Sequence, residues 1–502
     1  MMHYLLAAQD NPTMMMRLIL TAISVAGISA TGAGITASLS STGLNYMITQ
    51  LLPALEKEFG TITVPDINGN KDDFDYHVTG ITCDNFVIAT GDVALAPPSS
   101  ISAALGGVAV QCHAGWSFKL HPWPHVPDGS GTADISVSQT TASLSLALNV
   151  SNLRPTMLAT AAAINIGTVD ITLHGSALDW LLDLFKSDIE SAIRGALDSS
   201  FPPVLEHFID VSGNEALQKI PIEVPIPART PYNVSEARFG FVSQPVATTT
   251  FLAFAVQGDV VPLGGTVEPP VPAPALPPFD STYADYMIEG RFSPYTLTSA
   301  AWTYWQANLT QWPIAAANVP LGLNNTNAYG LIAPGLVTAF PNQPVNLEVA
   351  FSKVPTLTIS PPAAGGISAA APLSLIFFAG TPPTFAFSLD IDAAFNLDVG
   401  VSPSPSSPGS LIFNGTLSFI SATVAIGTTS VGPVSTGLLQ ALVDIVLPIA
   451  MATLNGDLSR GFPLPPIEGL AFTNATALQL ETGYALFAAD FTYAPTSEYD
   501  AV

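Results

Sequence analysis

The chain has 502 residues, and its formal net charge is −25 because 38 acidic residues face only 13 Lys and Arg. Hydrophobic residues make up 48% of the chain and charged residues 10%, so it can bury large cores and is unlike a disordered protein. The negative charge argues against nucleic acid and anionic lipid surfaces as electrostatic partners.

The N-terminus has the pattern of a secretory signal peptide. Arg17 precedes an apolar run from Leu18 to Ile28, and small residues follow up to Ala33. A run of this length is too short to span a bilayer. We therefore predict a signal peptide with an N-terminal extension over residues 1–33, and a secreted, extracellular protein.

Cysteine and sequon content fit secretion. Cys83 and Cys112 are the only cysteines, and in an oxidising compartment they are expected to form one disulfide between neighbouring strands; two free buried thiols are the alternative. Six N-x-S/T sequons are candidate glycosylation sites: Asn149, Asn233, Asn308, Asn324, Asn414 and Asn474.

The first half of the mature chain combines apolar helices with strands. Apolar residues recur at helical spacing over 44–55, where Pro53 is expected to kink the helix or begin a second segment. Strict alternation of apolar residues predicts strands over 144–150 and 169–173.

A long amphipathic helix follows these strands. Its apolar positions form one stripe over 178–197, with Ser176 as N-cap and Pro202 predicted to end the helix. Such a helix is about 30 Å long, and a stripe of that length needs a long sheet to cover it.

Proline dominates the segment just past the midpoint, where six of the eleven residues from Pro269 to Phe279 are proline. Such a run favours extended polyproline geometry. It predicts a semi-rigid spacer between two folded halves, with a proline-rich surface loop as the alternative.

The second half repeats the order of long strand and long helix. Apolar residues alternate without interruption over 385–401, which predicts a strand about 55 Å long. A second apolar helix follows, bent at Pro448 and ending near 461–463, and a closing hairpin turns at 481–483. We therefore predict that the second half repeats the architecture of the first.

Catalytic and metal-binding motifs are missing from the sequence. No G-x-S-x-G, H-E-x-x-H or P-loop pattern occurs, so we predict no enzyme activity and no catalytic residues. His113, His121 and His125 fit no metal-binding spacing and are interpreted as exposed loop histidines, which gain positive charge below about pH 6. No cofactor is expected apart from bound phospholipid.

Several segments, in the right order, resemble the family of bactericidal/permeability-increasing protein, lipopolysaccharide-binding protein and plasma lipid-transfer proteins. They span the mature chain: GITASLSSTGLNY, ITVPDI, WLLDLFKSDIESAIRGAL, MIEGRFSPYTLTSAAWTYWQ, FPNQPVNLEVAF, VGPVSTGLLQALVDIVLPI and GFPLP. The resemblance implies an α+β fold with two tandem tubular lipid-binding barrels, each a long coiled antiparallel sheet around a long helix. It also implies a central sheet, with a strand from 246–260, that joins them into an elongated boomerang.

The same resemblance implies a division of the chain into four regions after the signal peptide. These are an N-terminal barrel (34–228), a central-sheet segment (229–263), a Pro-rich linker (264–283) and a C-terminal barrel (284–502). It also implies an acyl-lipid pocket in each barrel, with ordinary core packing as the alternative for each residue. The candidate lipid-binding residues are Leu182, Phe185, Ile189, Ile193, Leu439, Leu442, Val446 and Ile449.

Aromatic residues mark a candidate membrane contact. Trp116, Phe118 and Trp123 lie near one predicted loop tip, and amphipathic aromatics settle at membrane interfaces without needing charge. Local packing of a proline-rich loop is the alternative.

Two features depart from the family pattern. The family's usual disulfide joins a strand to the long N-terminal helix, which has no cysteine here. Between Gly34 and Ser130 three lysines face nine acids, which gives −6 where the antibacterial relative has a cationic tip.

Together these features favour a secreted protein that binds or transfers phospholipid through peripheral membrane contact, with a monomer favoured. A lipopolysaccharide-binding protein of innate immunity is the alternative within the family. A structural extracellular glycoprotein without lipid cargo is the alternative outside it.

Overall fold

The structure, a computed structural model, describes residues 32–60, 64–71, 74–121, 128–175, 179–226, 235–264, 269–314, 319, 322–403, 411–459, 462–463 and 470–493. The predicted signal peptide lies outside the described residues, except for its last two positions.

The N-terminal barrel is a seven-stranded antiparallel sheet packed against apolar helices. The chain enters it through β1 (Ile35–Ser40) and α1 (Ser41–Phe59). The sheet strands are β2 (Ile67–Lys71), β3 (Phe74–Val87), β4 (Thr90–Ala96), β5 (Ser100–Leu120), β6 (Gly129–Ser151), β7 (Arg154–Asn165) and β8 (Thr168–Gly175). Their order is β2-β3-β5-β6-β7, with β4 paired to β5 and β8 to β6.

The long helix of this barrel extends further than predicted. α2 (Asp179–His207) continues through Pro202 and Pro203, so the prediction that Pro202 ends it is wrong. Proline removes one backbone hydrogen bond, but Phe201 and Leu205 on either side are fully buried against the sheet and keep the chain helical. A π-helical segment (Phe208–Gly213) and α3 (Asn214–Lys219) complete the barrel.

A disulfide joins Cys83 and Cys112, as predicted. The two residues are directly paired in the β3–β5 ladder. Cys112 is buried in the N-terminal core and Cys83 packs against that core with partial burial, so the cross-link lies at its edge.

A small three-stranded sheet follows, formed by β9 (Glu223–Ile226), β10 (Ser235–Arg238) and β13 (Asp259–Pro262). Between its last two strands lie β11 (Val246–Ala247) and β12 (Phe251–Val256), which belong to the central sheet. The region 246–260 was predicted as one central-sheet strand. The part from 246 to 256 does lie in the central sheet, but as two strands, and after a turn at Gly258 β13 pairs in the small sheet instead.

The C-terminal barrel repeats the sheet-and-helix arrangement. Its sheet has the order β15-β16-β18-β19-β20-β21 with β17 on β18. The strands are β15 (Gln311–Ile314), β16 (Val345–Phe351), β17 (Thr356–Ile359), β18 (Ile367–Ala379), β19 (Thr384–Pro403), β20 (Leu411–Thr429) and β21 (Phe462–Pro463). β14 (Ile288–Phe292) and α4 (Pro294–Gln306) precede this sheet, and the short α5 (Pro334–Ala339) lies between β15 and β16.

The predicted long strand and long helix are both present in this barrel. β19 has 20 residues and contains the whole of the predicted 385–401 strand. The long helix, α6 (Leu439–Leu458), contains Pro448 and ends a few residues before the predicted stop. β22 (Leu470–Thr473), β23 (Gln479–Glu481) and β24 (Tyr484–Tyr493) close the chain, with Gly483 at positive φ in the predicted hairpin turn.

The central sheet joins the two barrels through strands from both halves of the chain. Its order is β11-β12-β1-β14-β24-β22, with β23 on β24, so β1 lies between a strand from before the proline segment and one from after it. This arrangement confirms the predicted fold class of two barrels joined by a central sheet. The predicted domain boundaries stay a proposal.

One face of the central sheet carries a buried ion pair. The Arg291 Nε–H donates to Glu289 Oε1 over 2.6 Å, and both side chains are almost fully buried. Neighbouring positions on β1 are also polar and buried: Thr36, Ser38 and Ser40. This polar face explains why β1 does not read as an apolar strand in the sequence.

The last residues of the proline segment, 276–279, pack on this polar face, while its role as a spacer between the two halves stays a prediction. Arg291 donates to the carbonyls of Pro277 and Pro278 over 3.3 and 3.0 Å, and its guanidinium lies 4.4 Å from the Phe279 ring centroid. Leu276 is buried. Because arginine hydrogen bonds to carbonyls and stacks on aromatic rings, Arg291 holds the end of the segment on the sheet.

Candidate functional site

The inner face of the C-terminal sheet is apolar and closely packed. The Phe377 and Phe387 rings stack at 4.2 Å between centroids, and Tyr329 meets Phe377 edge-on at 5.8 Å. Burial raises the pKa of Tyr329, whose hydroxyl donates to the Leu323 carbonyl over 2.8 Å. The part of the barrel around Phe377, Phe387 and Tyr329 is therefore filled by the protein's own side chains.

α6 covers this inner face with the residues that the sequence singled out. Leu439, Leu442 and Val446 are almost fully buried in the same cluster as the sheet residues, and Ile449 packs against the cluster with partial burial. The structure thus brings all four together on one side of α6. Their role as a lipid-contacting wall stays a prediction.

The C-terminal barrel opens along the strand that borders α6. Phe419 on β20 is paired with Phe395 on β19, so both side chains share the inner face of the sheet. Yet Phe395 is 3% exposed and Phe419 is 44% exposed. Their rings are 6.2 Å apart, edge to face. The inner face is therefore accessible to solvent at β20.

An asparagine holds this edge. The Asn455 amide of α6 donates to the Leu417 carbonyl over 3.0 Å, and the Leu417 N–H donates to Asn455 Oδ1 over 2.7 Å. These two bonds replace the partner strand that β20 lacks at this point, since β21 pairs only with Ile412 and Phe413 among the described residues. They fix the end of α6 to the edge of the sheet.

The N-terminal barrel has the same device. Asn214, after α2, donates to the Met157 carbonyl on β7 and accepts from the Met157 N–H, both over 2.8 Å. The Asp210 carboxylate accepts a hydrogen bond over 3.0 Å from the Ala159 N–H, which is the next N–H along β7 that points away from the sheet. Sequence analysis missed both asparagines. The only available signal was an amide residue near the end of each apolar helix, which periodicity does not single out.

Four candidate lipid-binding residues lie on α2. Ile189 and Ile193 are buried against the inner face of the N-terminal sheet, in the cluster that includes Phe201, whose ring stacks on Phe59 at 4.1 Å. The side chains of Leu182 and Phe185 lie outside the described part of the structure. Lipid contact by these residues stays a prediction.

Two of the three candidate membrane-contact aromatics lie on a strand and not on a loop. Trp116 and Phe118 lie on β5, face inward and are buried, and the Trp116 Nε1–H donates to the carbonyls of Thr132 and His174. Their prediction as loop-borne membrane contacts is not supported, because their alternation along β5 places both on the core face. Trp123 lies outside the described residues.

Two of the three histidines considered in the sequence lie on the outer surface of the same barrel. His113 is on β5 and not in a loop; its Nδ1 is 2.7 Å from Asp134 Oδ1, while His174 Nε2 is 2.8 Å from Asp134 Oδ2. His121 forms a hydrogen bond with Asp75. Hydrogen bonds from His113 and His174 lower the pKa of the Asp134 carboxyl.

The described residues contain no group of three or more His, Cys, Asp or Glu side chains placed to hold a metal ion. His125 lies outside the described residues, as does the sequon Asn233. Of the other sequons, Asn308 is exposed, while the Asn414 and Asn474 amides donate to Ser402 and Asp490. Glycosylation stays a prediction.

Both halves of the chain match models of one protein family. Residues 43–219 match the model of the LBP / BPI / CETP family N-terminal domain, and residues 233–493 match the C-terminal domain of that family. The chain is 24% identical to a bactericidal permeability-increasing protein of Sebastes schlegelii, over 91% of this chain and 94% of that protein. It is also 24% identical to the lipopolysaccharide-binding protein of Homo sapiens, over 97% and 98% of the two chains.

A solved structure shares the fold. The crystal structure of a lipopolysaccharide binding protein superposes with a TM-score of 0.59 at 22% identity, covering 92% of this chain and 99% of that one.

Proposed function

The chain belongs to the LBP / BPI / CETP family of non-enzymatic lipid-binding proteins, and from that membership we propose that it is a secreted phospholipid-binding and transfer protein. The observation that carries the proposal is the pair of apolar inner faces, each covered by a long helix and each partly accessible along one edge strand. An acyl chain could enter along such an edge without unfolding the sheet.

Transfer between membranes fits the energetics better than release into water. Each buried CH₂ contributes about 0.8 kcal/mol relative to water, so a two-chain lipid does not leave the protein for solvent at a useful rate. In a bilayer the same chains are already buried. Exchange between an apolar inner face and a bilayer is therefore close to balanced in free energy.

Charge favours neutral lipid over lipopolysaccharide. The chain carries −25 overall and −6 between Gly34 and Ser130. A surface of this sign repels the phosphates of lipid A, and the three lysines of that stretch are outnumbered by its nine acids. We therefore place lipopolysaccharide binding second, even though several relatives carry that name.

Vesicle charge tests this preference. We expect fluorescent-lipid transfer from neutral phosphatidylcholine vesicles to exceed transfer from strongly anionic vesicles. Raising the salt concentration should narrow the difference, because ions screen the repulsion while acyl burial is unaffected. Tight binding to lipopolysaccharide that weakens with salt would contradict the proposal and support the immune alternative.

Filling the N-terminal inner face tests the candidate site. Replacing Ile189 with Trp should lower the phospholipid that co-purifies with the protein by about half, because only one of two proposed sites is filled. Native mass spectrometry measures the bound lipid. Ser191→Trp is the matched control, since Ser191 is exposed on the same helix and should keep both lipids.

The outcome also separates the alternatives. A wild-type protein free of lipid would support a structural glycoprotein whose barrels are filled by side chains, as the Phe377–Phe387 stack fills one end. An Ile189→Trp protein that loses stability but keeps its lipid would show that Ile189 packs only in the core.

A further inference from the structure

α6 presents an apolar stripe to solvent. Its buried residues face the sheet, yet Leu438, just before the helix, and Ile445 on it are each 45% exposed. Ala441, Pro448 and Ala452 are exposed as well, and together these residues recur at spacings of 3, 4, 3 and 4. Residues three and four apart lie on one helix face. The stripe is therefore continuous over about four turns.

Two more exposed apolar side chains lie on β20, the strand that borders α6. Phe419 and Ile420 lie at a bulge on β20 and are 44% and 51% exposed. Asn455 fixes Leu417, two residues before Phe419, beside α6. We call the stripe together with Phe419 and Ile420 the α6–β20 seam.

The charge around the seam limits which surfaces can bind to it. No Lys, Arg or His occurs from Thr436 to Ser459, and the exposed polar neighbours Gln440 and Asp444 hydrogen bond to each other over 2.8 Å. An anionic surface has no cation to bind here. A second copy of the chain would bring another −25 charge against the first, which opposes self-association.

Continuity with the inner face points to a membrane. Phe419 belongs to the inner face of the sheet and is 44% exposed, two residues after the point where Asn455 fixes Leu417 to α6, so apolar surface that solvent reaches beside α6 leads into the barrel. The segment Thr436–Gly456 is also long and apolar enough to match a membrane-spanning helix, although one of its faces is packed on the sheet. An apolar helix with one packed face can lie in the plane of a membrane interface.

We propose that the α6–β20 seam docks the C-terminal barrel on bilayers of neutral, zwitterionic phospholipid. This inference rests on the proposed function for its choice of lipid as the partner. The seam enters the interface with Ile445 and Phe419, and lipid then passes along the accessible edge of β20.

Aspartate substitutions test the docking. Ile445→Asp and Phe419→Asp should each lower partitioning onto phosphatidylcholine vesicles by about tenfold in a flotation assay, because a carboxylate enters the interface poorly. Val87→Asp is the matched control: Val87 is 51% exposed on the N-terminal barrel, and its substitution should change partitioning less than twofold. Equal partitioning of all three variants would overturn the proposal.

A fluorophore locates the contact without changing charge. Both native cysteines are in the disulfide, so Ile445→Cys adds a single reactive thiol. An environment-sensitive label there should shift to the blue on phosphatidylcholine vesicles, whereas a label on Val87→Cys should not. No shift at either position would overturn the proposal. A concentration-dependent shift without vesicles would overturn it in favour of self-association.

The two proposals fail separately. Lipid that co-purifies with a protein that does not dock through the seam would leave the function standing and remove the docking surface. Docking by a protein that carries no lipid would leave the docking surface standing and remove the proposed function.

Discussion

Replacing Arg291 with Met is expected to lower the free energy of unfolding by about 3 to 5 kcal/mol at pH 7, because removal of one partner leaves a buried charge unpaired. The Glu289 carboxylate would lose its partner at 2.6 Å. The proline segment would lose its hydrogen bonds from Arg291 to Pro277 and Pro278. Denaturant unfolding followed by circular dichroism measures the loss.

The size of this loss should depend on pH. Burial raises the pKa of Glu289 above its ordinary value of 4.5, while the hydrogen bond and charge of Arg291 oppose the rise. Without Arg291 the pKa rises further. A carboxyl group with a raised pKa in the folded state stabilises the protein most below its unfolded pKa, and this stability is lost as the pH rises through the folded value. The Arg291→Met loss should therefore be largest at pH 7 and shrink toward pH 4.

The double variant Glu289→Gln with Arg291→Met is the control. It carries no charge at positions 289 and 291, so its loss at pH 7 should be smaller than that of Arg291→Met alone and should change little with pH. An equal loss for Arg291→Met at pH 7 and pH 4 would show that packing of the proline segment dominates, and not the stranded carboxylate.

Removing the disulfide should have an effect of similar size. The residues are 29 positions apart, and for a loop of that length the chain-entropy model gives about 3 to 4 kcal/mol. We expect the double variant Cys83→Ala with Cys112→Ala to unfold at correspondingly lower denaturant concentration. Alanine is preferred to serine because Cys112 is buried.

Reduced wild-type protein provides the comparison for this experiment. The denaturant concentration at the midpoint of its unfolding should be close to that of the double variant, since both proteins lack the cross-link. A double variant as stable as the oxidised wild type would mean that the β3–β5 pairing alone constrains this part of the chain.

The sequence predicts the elements that bury an apolar face and misses those that depend on distant partners. The long β19 strand was predicted because one face alternates without interruption. The end of α2 was not, because the burial of Phe201 and Leu205 outweighs a local proline signal. The place of β1 in the central sheet depends on strands far along the chain, and its polar face hides it from hydrophobic patterning.

In the candidate site, too, sequence patterns predict some features and miss those that depend on distant partners. The apolar stripe of α6 was predicted, since helical spacing reports which residues share a face. The accessible edge at Phe419 and the asparagines at 214 and 455 were not. Accessibility at β20 arises from the absence of a neighbouring strand along most of its described length, which local sequence does not encode.

The order of strands in the central sheet sets when this protein can finish folding during synthesis. Ser41, directly after β1, reaches Thr250 across 209 residues, and the Tyr493 N–H donates to the Tyr46 hydroxyl across 447. β1, the first strand of the described part of the chain, therefore waits for partners made much later, while the barrels have mostly local pairings and can form first. Thr36, Ser38 and Ser40 make one face of the waiting strand hydrophilic, so the strand exposes less apolar surface before its partners arrive.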